Sequence, residues 1–241
     1  MKNTIIFAIR KGAIFVPVVL IAAALVVGAV FAATYAGDAR TSRPEKRVTV
    51  VLDAGHGGID AGVTGKSGLK ESDFNLDMAF RLKEKMEKEG FFVVLTRENE
   101  KGLCPDDEPK FKREDMRKRK EIVQKTSPDL LISIHANKFP SADRRGAQVF
   151  FDDFNLSGKE LARSVQERFN GLNEKYVGRR FAALGGDYFV LKCTHAPSVI
   201  AECGFLSNSE DEKLLCDPGY REELAEAIFD GAVDFLSQRE K

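Results

Sequence analysis

The chain has 241 residues, enough for one ordinary domain and an additional segment, because a domain typically takes roughly 100–200 residues. Its 43% hydrophobic and 31% charged residues exclude a disordered chain, and its modest glycine and proline content excludes a fibrous one. The 37 basic residues only balance the 37 acidic ones, which argues against nucleic acid as a partner.

The N-terminal region is predicted to anchor the protein in the membrane. Residues 12–37 contain no charged side chain and exceed the roughly 20 apolar residues that a membrane-spanning helix needs. The segment 1–11 carries three basic residues, which predicts a cytoplasmic N-terminus, a polar linker at 38–46 and an extracytoplasmic domain at 47–241. We therefore expect a single-pass protein of the cell membrane. The length of the apolar stretch favours an uncleaved signal anchor over a cleaved signal.

Predicted strands and helices alternate along nearly all of residues 47–237. β-branched apolar runs indicate strands, and apolar residues at intervals near four indicate helices, the first with Ser72 as its N-cap. The predicted strands are 47–53, 91–96, 129–135, 146–152, 188–192 and 198–202, and the predicted helices are 72–89, 111–126, 157–172, 208–216 and 218–237. This alternation is typical of an open, mostly parallel α/β sheet with helices on both faces, here preceded by the membrane-spanning helix.

Two of the three histidines stand at predicted strand ends, where an open α/β sheet binds its ligands. His56 follows the first strand in D-A-G-H-G-G-I-D-A-G, and His135 ends the third strand in L-I-S-I-H-A-N. The glycines around His56 allow a close backbone approach, and their spacing matches neither G-x-G-x-x-G nor G-x-x-x-x-G-K-[ST]. A metal site and ordinary hydrogen-bonded histidines are equal alternatives for this pair.

A catalytic zinc site needs a third protein ligand and one open position. The candidates are Glu71 beside the start of a helix, Asp53 in the first motif and His195 in a loop. A carboxylate near a helix N-terminus is stabilised by the helix dipole alone, so Glu71 also has a purely structural explanation. The four cysteines stand singly without a C-x-x-C pair, and in an exported domain they either stay free or form up to two disulfides.

Four segments in order resemble the signature of the bacterial zinc-dependent N-acetylmuramoyl-L-alanine amidases, a family of peptidoglycan hydrolases. They are D-A-G-H-G-G-I-D-A-G, K-E-S-D-F-N-L, L-I-S-I-H-A-N and V-I-A-E-C-G-F-L-S-N. The resemblance implies a sheet of about six strands, with His56, Glu71 and His135 as zinc ligands. It also implies that Glu202 is catalytic. Within the family, the chain is most similar to germination-specific amidases of spore-forming bacteria, which implies a role in the spore cortex, where muramic lactam forms.

The implied reaction is hydrolysis of the amide bond between the lactyl group of N-acetylmuramic acid and L-alanine of the stem peptide. Zinc polarises the carbonyl and makes water more acidic, and Glu202 serves as the base that passes a proton to the departing amine. One alternative is an amidase that binds zinc weakly alone and depends on an activator protein. Another is a zinc peptidase or deacetylase on a related α/β scaffold.

Arginines in predicted loops are candidates for binding the carboxylates of peptidoglycan. Arg97, Arg144 and Arg180 are predicted to bind substrate, because guanidinium groups recognise carboxylates with two parallel hydrogen bonds. Arg145 and Arg179 are further loop candidates. The strongly basic second helix could face anionic wall polymer or lipid, or form a solvated surface.

Overall fold

The computed structural model describes Val27 and residues 47–239, and the fold belongs to the unit Arg47–Lys241. Apart from Val27, the predicted membrane-targeting region at residues 1–46 lies outside the described residues, so the anchor stays a prediction. None of the helices in the described part of the chain combines the length and apolar character that crossing a membrane requires.

A six-stranded sheet lies at the centre of the fold. Its strands are β1 (Thr49–Ala54), β2 (Phe92–Leu95), β3 (Leu130–Asn137), β4 (Gln148–Phe151), β5 (Leu184–Gly185) and β6 (Ser198–Phe205). The helices are α1 (Glu71–Lys88), α2 (Phe111–Thr126), α3 (Leu156–Val177), α4 (Ser209–Cys216) and α5 (Pro218–Arg239). The strand order is β2-β1-β3-β6-β4-β5, and every neighbouring pair is parallel except β4 with β6. The predicted open, mostly parallel α/β sheet is confirmed.

The edge of the sheet differs from the prediction. Residues 188–192, predicted as a strand, contain instead one turn of 3₁₀ helix at Val190–Lys192, and the two-residue strand β5 forms the edge. Val190 and Leu191 are buried against the face of the sheet rather than paired in it. A short apolar run has this outcome because its periodicity does not separate a strand from a helical turn.

Helix α1 begins one residue earlier than predicted. Its N-cap is Lys70 rather than Ser72, and Glu71 is its first residue. A carboxylate in this first turn is stabilised by the positive end of the helix dipole. The apolar side chains that predict the helix are all fully buried, and they are Phe74, Met78, Leu82 and Met86.

Helices cover the sheet on both faces. On one face, side chains such as Leu52 and Ile134 form the larger core together with residues of α1, α3 and α5. On the other face, Val51 and Leu131 form a smaller core with Val123 of α2. Burial of each such side chain contributes roughly 1.5–3 kcal/mol, so the larger core supplies most of the stability.

The second face becomes polar towards the carboxyl ends of the strands. Asp53 follows Val51 by two residues, and Glu202 follows Ile200 by two residues. His135 follows Leu131 by four residues, again an even number. Because side chains alternate between the faces with a period of two, all three polar groups lie on the face that α2 covers. The fold therefore collects them at one edge of the sheet.

Candidate active site

Three side chains from different elements converge at the carboxyl edge of the sheet. They are His56 after β1, Glu71 at the start of α1 and His135 on β3, and one donor atom from each lies within 4.8 Å of the others. Glu71 Oε1 is 3.1 Å from His56 Nε2 and 2.9 Å from His135 Nδ1. The imidazole rings stand 5.1 Å apart and nearly perpendicular. Two nitrogens and one oxygen thus point at one place.

Backbone groups hold the Glu71 carboxylate in this position. Its Oε2 accepts a hydrogen bond from the Val63 N–H at 2.9 Å, and its Oε1 accepts a longer one from the Ala136 N–H at 3.4 Å. Burial opposes ionisation, but the hydrogen bonds and charges of His135 and His56 hold the pKa of Glu71 well below its ordinary value. The group is therefore a carboxylate, the form that binds a metal.

His56 occupies a backbone conformation that side chains rarely adopt, with φ at +62°. Its Nδ1 lies 3.0 Å from Asp60 Oδ2, so Asp60 orients the ring and turns Nε2 towards Glu71. Burial lowers the pKa of His56, but the hydrogen bonds and charges of Glu71 and Asp60 outweigh it and raise that pKa to about 8.

Two glycines of the first motif are required because the backbone at these positions lies very close to side chains of the donor cluster. A Cβ on Gly55 would lie 2.2 Å from the His135 ring. A Cβ on Gly62, which has φ at +67°, would lie 2.5 Å from Glu71 Oε2. Any side chain at either position would collide with a donor residue of the cluster, so the glycines leave space for the His135 ring and the Glu71 carboxylate.

Asp53, an alternative third ligand from the sequence, lies beneath the cluster and outside it. It accepts hydrogen bonds from Ser133 at 2.6 Å, Thr96 at 2.7 Å and Arg119 at 2.6 Å. Burial raises its pKa, but Arg119 and the two hydroxyls outweigh burial and bring the pKa of Asp53 down to about 2. It therefore stays ionised as the partner of a buried arginine.

Arg119 supports the His56 loop, a role that the sequence does not predict. Its guanidinium donates to the His56 carbonyl at 2.6 Å and the Ala54 carbonyl at 2.8 Å, besides Asp53 and Asp115. It is 1% exposed, although it belongs to the helix predicted as a basic surface. The available signal is the i, i+4 spacing of the buried residues of α2, which are Phe111, Asp115, Arg119 and Val123.

Arg97, predicted to bind substrate, is a buried residue whose guanidinium is hydrogen-bonded to the backbone. It is 4% exposed, and its guanidinium donates to four backbone carbonyls. These carbonyls belong to Ala54, Gly55, Ser72 and Asn99. Desolvation is the main cause that lowers the pKa of Arg97, to about 10. With these donors used on the backbone around the cluster, Arg97 fixes the His56 loop.

Glu202 faces the cluster from the neighbouring strand. It is the register partner of His135 in the parallel pair of β3 and β6, so both side chains lie on the same face. Its Oε2 is buried and has no hydrogen-bond partner among the described residues. Burial raises the pKa of Glu202 to about 7; the charge of Glu71 adds to this, and His135 opposes it. This carboxyl group is therefore able to exchange a proton near neutral pH.

A cleft of about 360 Å³ leads to these residues. Lys112 and Met116 of α2 form one wall, and Tyr188 and Phe189 form another. Phe189 is 51% exposed, so an apolar surface is offered to a ligand beside the polar floor. Because Tyr188 and Phe189 belong to the segment mispredicted as a strand, the sequence gives no indication that they line the cleft.

The remaining candidates from the sequence lie elsewhere. His195 is exposed and outside the donor cluster. Arg144 is exposed and stacks on Phe139, whereas Arg180 pairs with two glutamates; neither lines the cleft. The cysteines are all free in the structure, three of them buried, and they are Cys104, Cys193, Cys203 and Cys216.

Comparison with known proteins identifies the family. The family described as N-acetylmuramoyl-L-alanine amidase (Amidase_3) matches residues 50–234 of the chain. The chain belongs to this family. Its activity is that of an N-acetylmuramoyl-L-alanine amidase, an enzyme of peptidoglycan hydrolysis, as the resemblance of the four sequence segments predicts.

Individual relatives agree with this assignment. A germination-specific N-acetylmuramoyl-L-alanine amidase from Bacillus subtilis (strain 168) is 31% identical over 82% of this chain and 84% of the relative. The probable cell wall amidase LytH from Staphylococcus epidermidis is 30% identical over 84% of this chain, which spans only 63% of LytH. The structure of the CwlD amidase from Clostridioides difficile in complex with the GerS lipoprotein superposes with a TM-score of 0.73 and 37% identity, covering 80% of this chain and all of that one. The predicted resemblance to germination-specific amidases is confirmed.

Proposed function

We propose that this amidase is zinc-dependent, with His56, Glu71 and His135 as metal ligands and Glu202 as the catalytic base. The observation that supports the proposal is the convergence of two imidazoles and one carboxylate within 4.8 Å, beside a buried carboxylate oxygen without a hydrogen-bond partner in the described part of the chain. Two histidines and one glutamate are a known catalytic zinc set that leaves one position open.

The donor set fits zinc in its supporting contacts as well. Asp60 accepts from His56 Nδ1, the type of outer hydrogen bond that fixes the tautomer of a metal-binding histidine. His56 then presents Nε2, and His135 presents Nδ1 towards the same carboxylate oxygen. When bound, zinc supplies a Lewis acid that polarises a carbonyl and lets water lose a proton near neutral pH.

Glu202 is suited to proton transfer by its surroundings. A base works best when its pKa lies near the working pH, and burial places the pKa of Glu202 at about 7. Because its Oε2 has no partner among the described residues, that oxygen is free to accept a proton from the attacking water. Glu202 then gives the proton to the departing alanine amine, which completes cleavage of the amide bond.

Two variants test the assignment of roles. Glu202→Gln should reduce turnover by roughly 10²–10⁴-fold, the usual contribution of a general base, while the protein keeps its zinc. His56→Ala should lose both zinc and activity. Zinc is measured by atomic absorption after gel filtration, and turnover by mass spectrometry of digested peptidoglycan. A Gln variant that retains most of its rate would remove Glu202 from the mechanism.

Product analysis decides between an amidase and the alternative hydrolases. An amidase leaves intact glycan with free lactyl carboxyl groups and peptides with a new N-terminal alanine. A deacetylase releases acetate, and a peptidase cuts inside the stem peptide. Release of acetate, or cleavage inside the stem peptide, without the appearance of free lactyl carboxyl groups would contradict the proposal.

We assign the substrate to the spore cortex and the chain to the cell membrane. The relative from Bacillus subtilis is germination-specific by name, which supports stem-peptide removal before muramic lactam forms. The uncharged stretch at residues 12–37 supports a single-pass anchor with the catalytic domain on the extracytoplasmic side. Protease digestion of intact and opened protoplasts tests the topology, because an outside domain is digested in both.

A partner protein is the second part of the proposal. The structure of CwlD that resembles this chain is a complex with the GerS lipoprotein, which supports an activator for this amidase too. The zinc content of the purified chain, measured alone and after addition of extract from sporulating cells, tests it. Full zinc occupancy and activity of the chain alone would contradict dependence on a partner.

A further inference from the structure

A second cavity of about 340 Å³ lies between the loop that follows β3 and the segment that follows α3. Phe139 and Arg144 come from the first of these segments, and Arg179 and Phe181 from the second. The cavity shares no lining residue with the cleft that leads to Glu202. It is therefore a separate depression of the surface.

The two arginines of this cavity are each stacked on a phenylalanine. Arg144 Cζ lies 4.8 Å from the centre of the Phe139 ring, and Arg179 Cζ lies 4.8 Å from the centre of the Phe181 ring. Stacking on an aromatic face restricts a guanidinium group and leaves the N–H donors at its edge available. Both groups are thus prepared to bind an anion at low cost in side-chain entropy.

Neighbouring arginines are already paired, whereas these two are not. Arg145 donates to Asp211 at 3.2 Å, and Arg180 contacts two glutamates. Within the described residues, the side chains of Arg144 and Arg179 have neither an ion pair nor a hydrogen bond. The N–H donors of these two guanidinium groups are therefore available to a ligand.

The lining of the cavity favours a carboxylate on a short flexible ligand. Three arginines face a single acidic residue, Asp143, and a guanidinium group matches a carboxylate with two parallel hydrogen bonds. The volume is at the lower end of the roughly 300–1,000 Å³ of small-ligand sites.

The distance from the donor cluster suits a stem peptide. His135, Glu202 and Gln148 are register partners on three adjacent strands, so Gln148 lies roughly 10 Å from His135 at roughly 4.8 Å per strand. Gln148 donates to the carbonyl of Ala182, the neighbour of Phe181 in the cavity wall. An extended peptide covers roughly 3.3–3.6 Å per residue, so about three residues of a stem peptide span the distance from His135 to Gln148, towards the side of the sheet where the cavity wall begins.

We propose that Arg144 and Arg179 bind a carboxylate carried by the third or fourth residue of the stem peptide, and so select substrates by peptide length and charge. This inference rests on the proposed function. It concerns binding alone, because neither arginine lies at the reacting amide.

The test compares substrates with and without the carboxylates. The full chain and the double variant Arg144→Gln/Arg179→Gln are assayed on an N-acetylmuramoyl tetrapeptide, on its fully amidated counterpart and on an N-acetylmuramoyl dipeptide. We expect KM for the free-acid tetrapeptide to rise about tenfold with kcat unchanged. KM for the other two substrates should stay within about twofold. Arg163→Gln is the matched control: it removes an exposed arginine outside the cavity whose side chain has no ion pair with another described residue.

A binding titration separates this inference from the proposed function. In the Glu202→Gln background, the same double substitution should raise Kd for the fluorescently labelled free-acid tetrapeptide about tenfold. An unchanged Kd, or an equal change for the amidated peptide, would overturn the inference and leave an acidic partner protein as the ligand to consider. If the unmodified chain cleaves none of the substrates, the proposed function fails, but the titration still decides whether the arginines bind the carboxylate.

Discussion

Replacing the proposed base should stabilise the zinc-free protein at alkaline pH while it abolishes turnover. Burial raises the pKa of Glu202 from the ordinary 4.5 to about 7. Between these values the unfolded chain is ionised and the folded protein still holds the proton. Stability therefore falls as the pH rises from about 4.5 to about 7, because ionisation favours the unfolded state. Glutamine has a similar shape and cannot ionise, so the stability of the Glu202→Gln variant should not decrease over this pH range for this reason.

The size of the effect follows from the same two values. At roughly 1.4 kcal/mol for each pH unit between them, ionised Glu202 costs about 3 kcal/mol of stability above pH 7. For a chain of this size, that free energy corresponds to an increase in Tm of roughly 6–12 °C for the Gln variant at pH 8. At pH 5 the gain should be below about 1 kcal/mol, because the pH has only just passed the unfolded pKa.

Thermal unfolding in EDTA, followed by circular dichroism at pH 5 and pH 8, measures this difference. Glu98→Gln, which neutralises an exposed carboxylate, is the control and should show no comparable gain. Added zinc should reduce the gain of the Glu202 variant, because a nearby cation favours the ionised carboxylate. Equal Tm values at pH 8, or the same shift at both pH values, would refute the assignment of a costly buried charge to Glu202.

Three further substitutions test the supports of the site. Gly55→Ala should weaken zinc binding by roughly 10–100-fold in a chelator competition, whereas Gly171→Ala, with open space around it, should not. Asp53→Asn should cost about 2 kcal/mol in urea unfolding at pH 7, and this difference should shrink as the pH falls from 3.8 towards 2. Arg97→Gln should lower stability without raising KM selectively for carboxylate-bearing substrates; a selective KM effect would support the predicted substrate-binding role instead.

The sequence predicts the parts of the site that depend on local pattern. Alternation along β1, β3 and β6 determines the face of each side chain, and the parallel order brings the carboxyl ends to one edge. His56, His135 and Glu202 meet for that reason. Glu71 joins them because its helix begins beside the same edge. Residue spacing alone left Asp53 and His195 as alternative third donors; the family resemblance selected Glu71, and the contacts in the structure agree with that choice.

The buried arginines show where local pattern fails. Arginine is almost never fully buried unless it is paired, so a sequence gives little reason to place Arg97 or Arg119 inside. Four of their eight hydrogen bonds go to backbone carbonyls of the His56 loop, which meet these arginines only once β1, β2 and α2 are packed. Apart from the i, i+4 spacing of the buried residues of α2, such contacts carry no signature in residue type or spacing. The wall formed by Tyr188 is unpredicted for a similar reason, because its position depends on a turn that tertiary packing selects.

The contacts of the donor cluster bear on how an activator could work. The left-handed conformation of His56 costs roughly 1–2 kcal/mol, and the charge-assisted hydrogen bond from Arg119 to its carbonyl contributes roughly 1.5–3 kcal/mol, which offsets that cost. Asp60 and the Val63 N–H fix the remaining freedom of the imidazole and of the Glu71 carboxylate. Since the protein's own hydrogen bonds position these groups, a partner has little to gain by rebuilding them. We therefore expect an activator to act on the exposed walls of the cleft, where zinc and substrate enter.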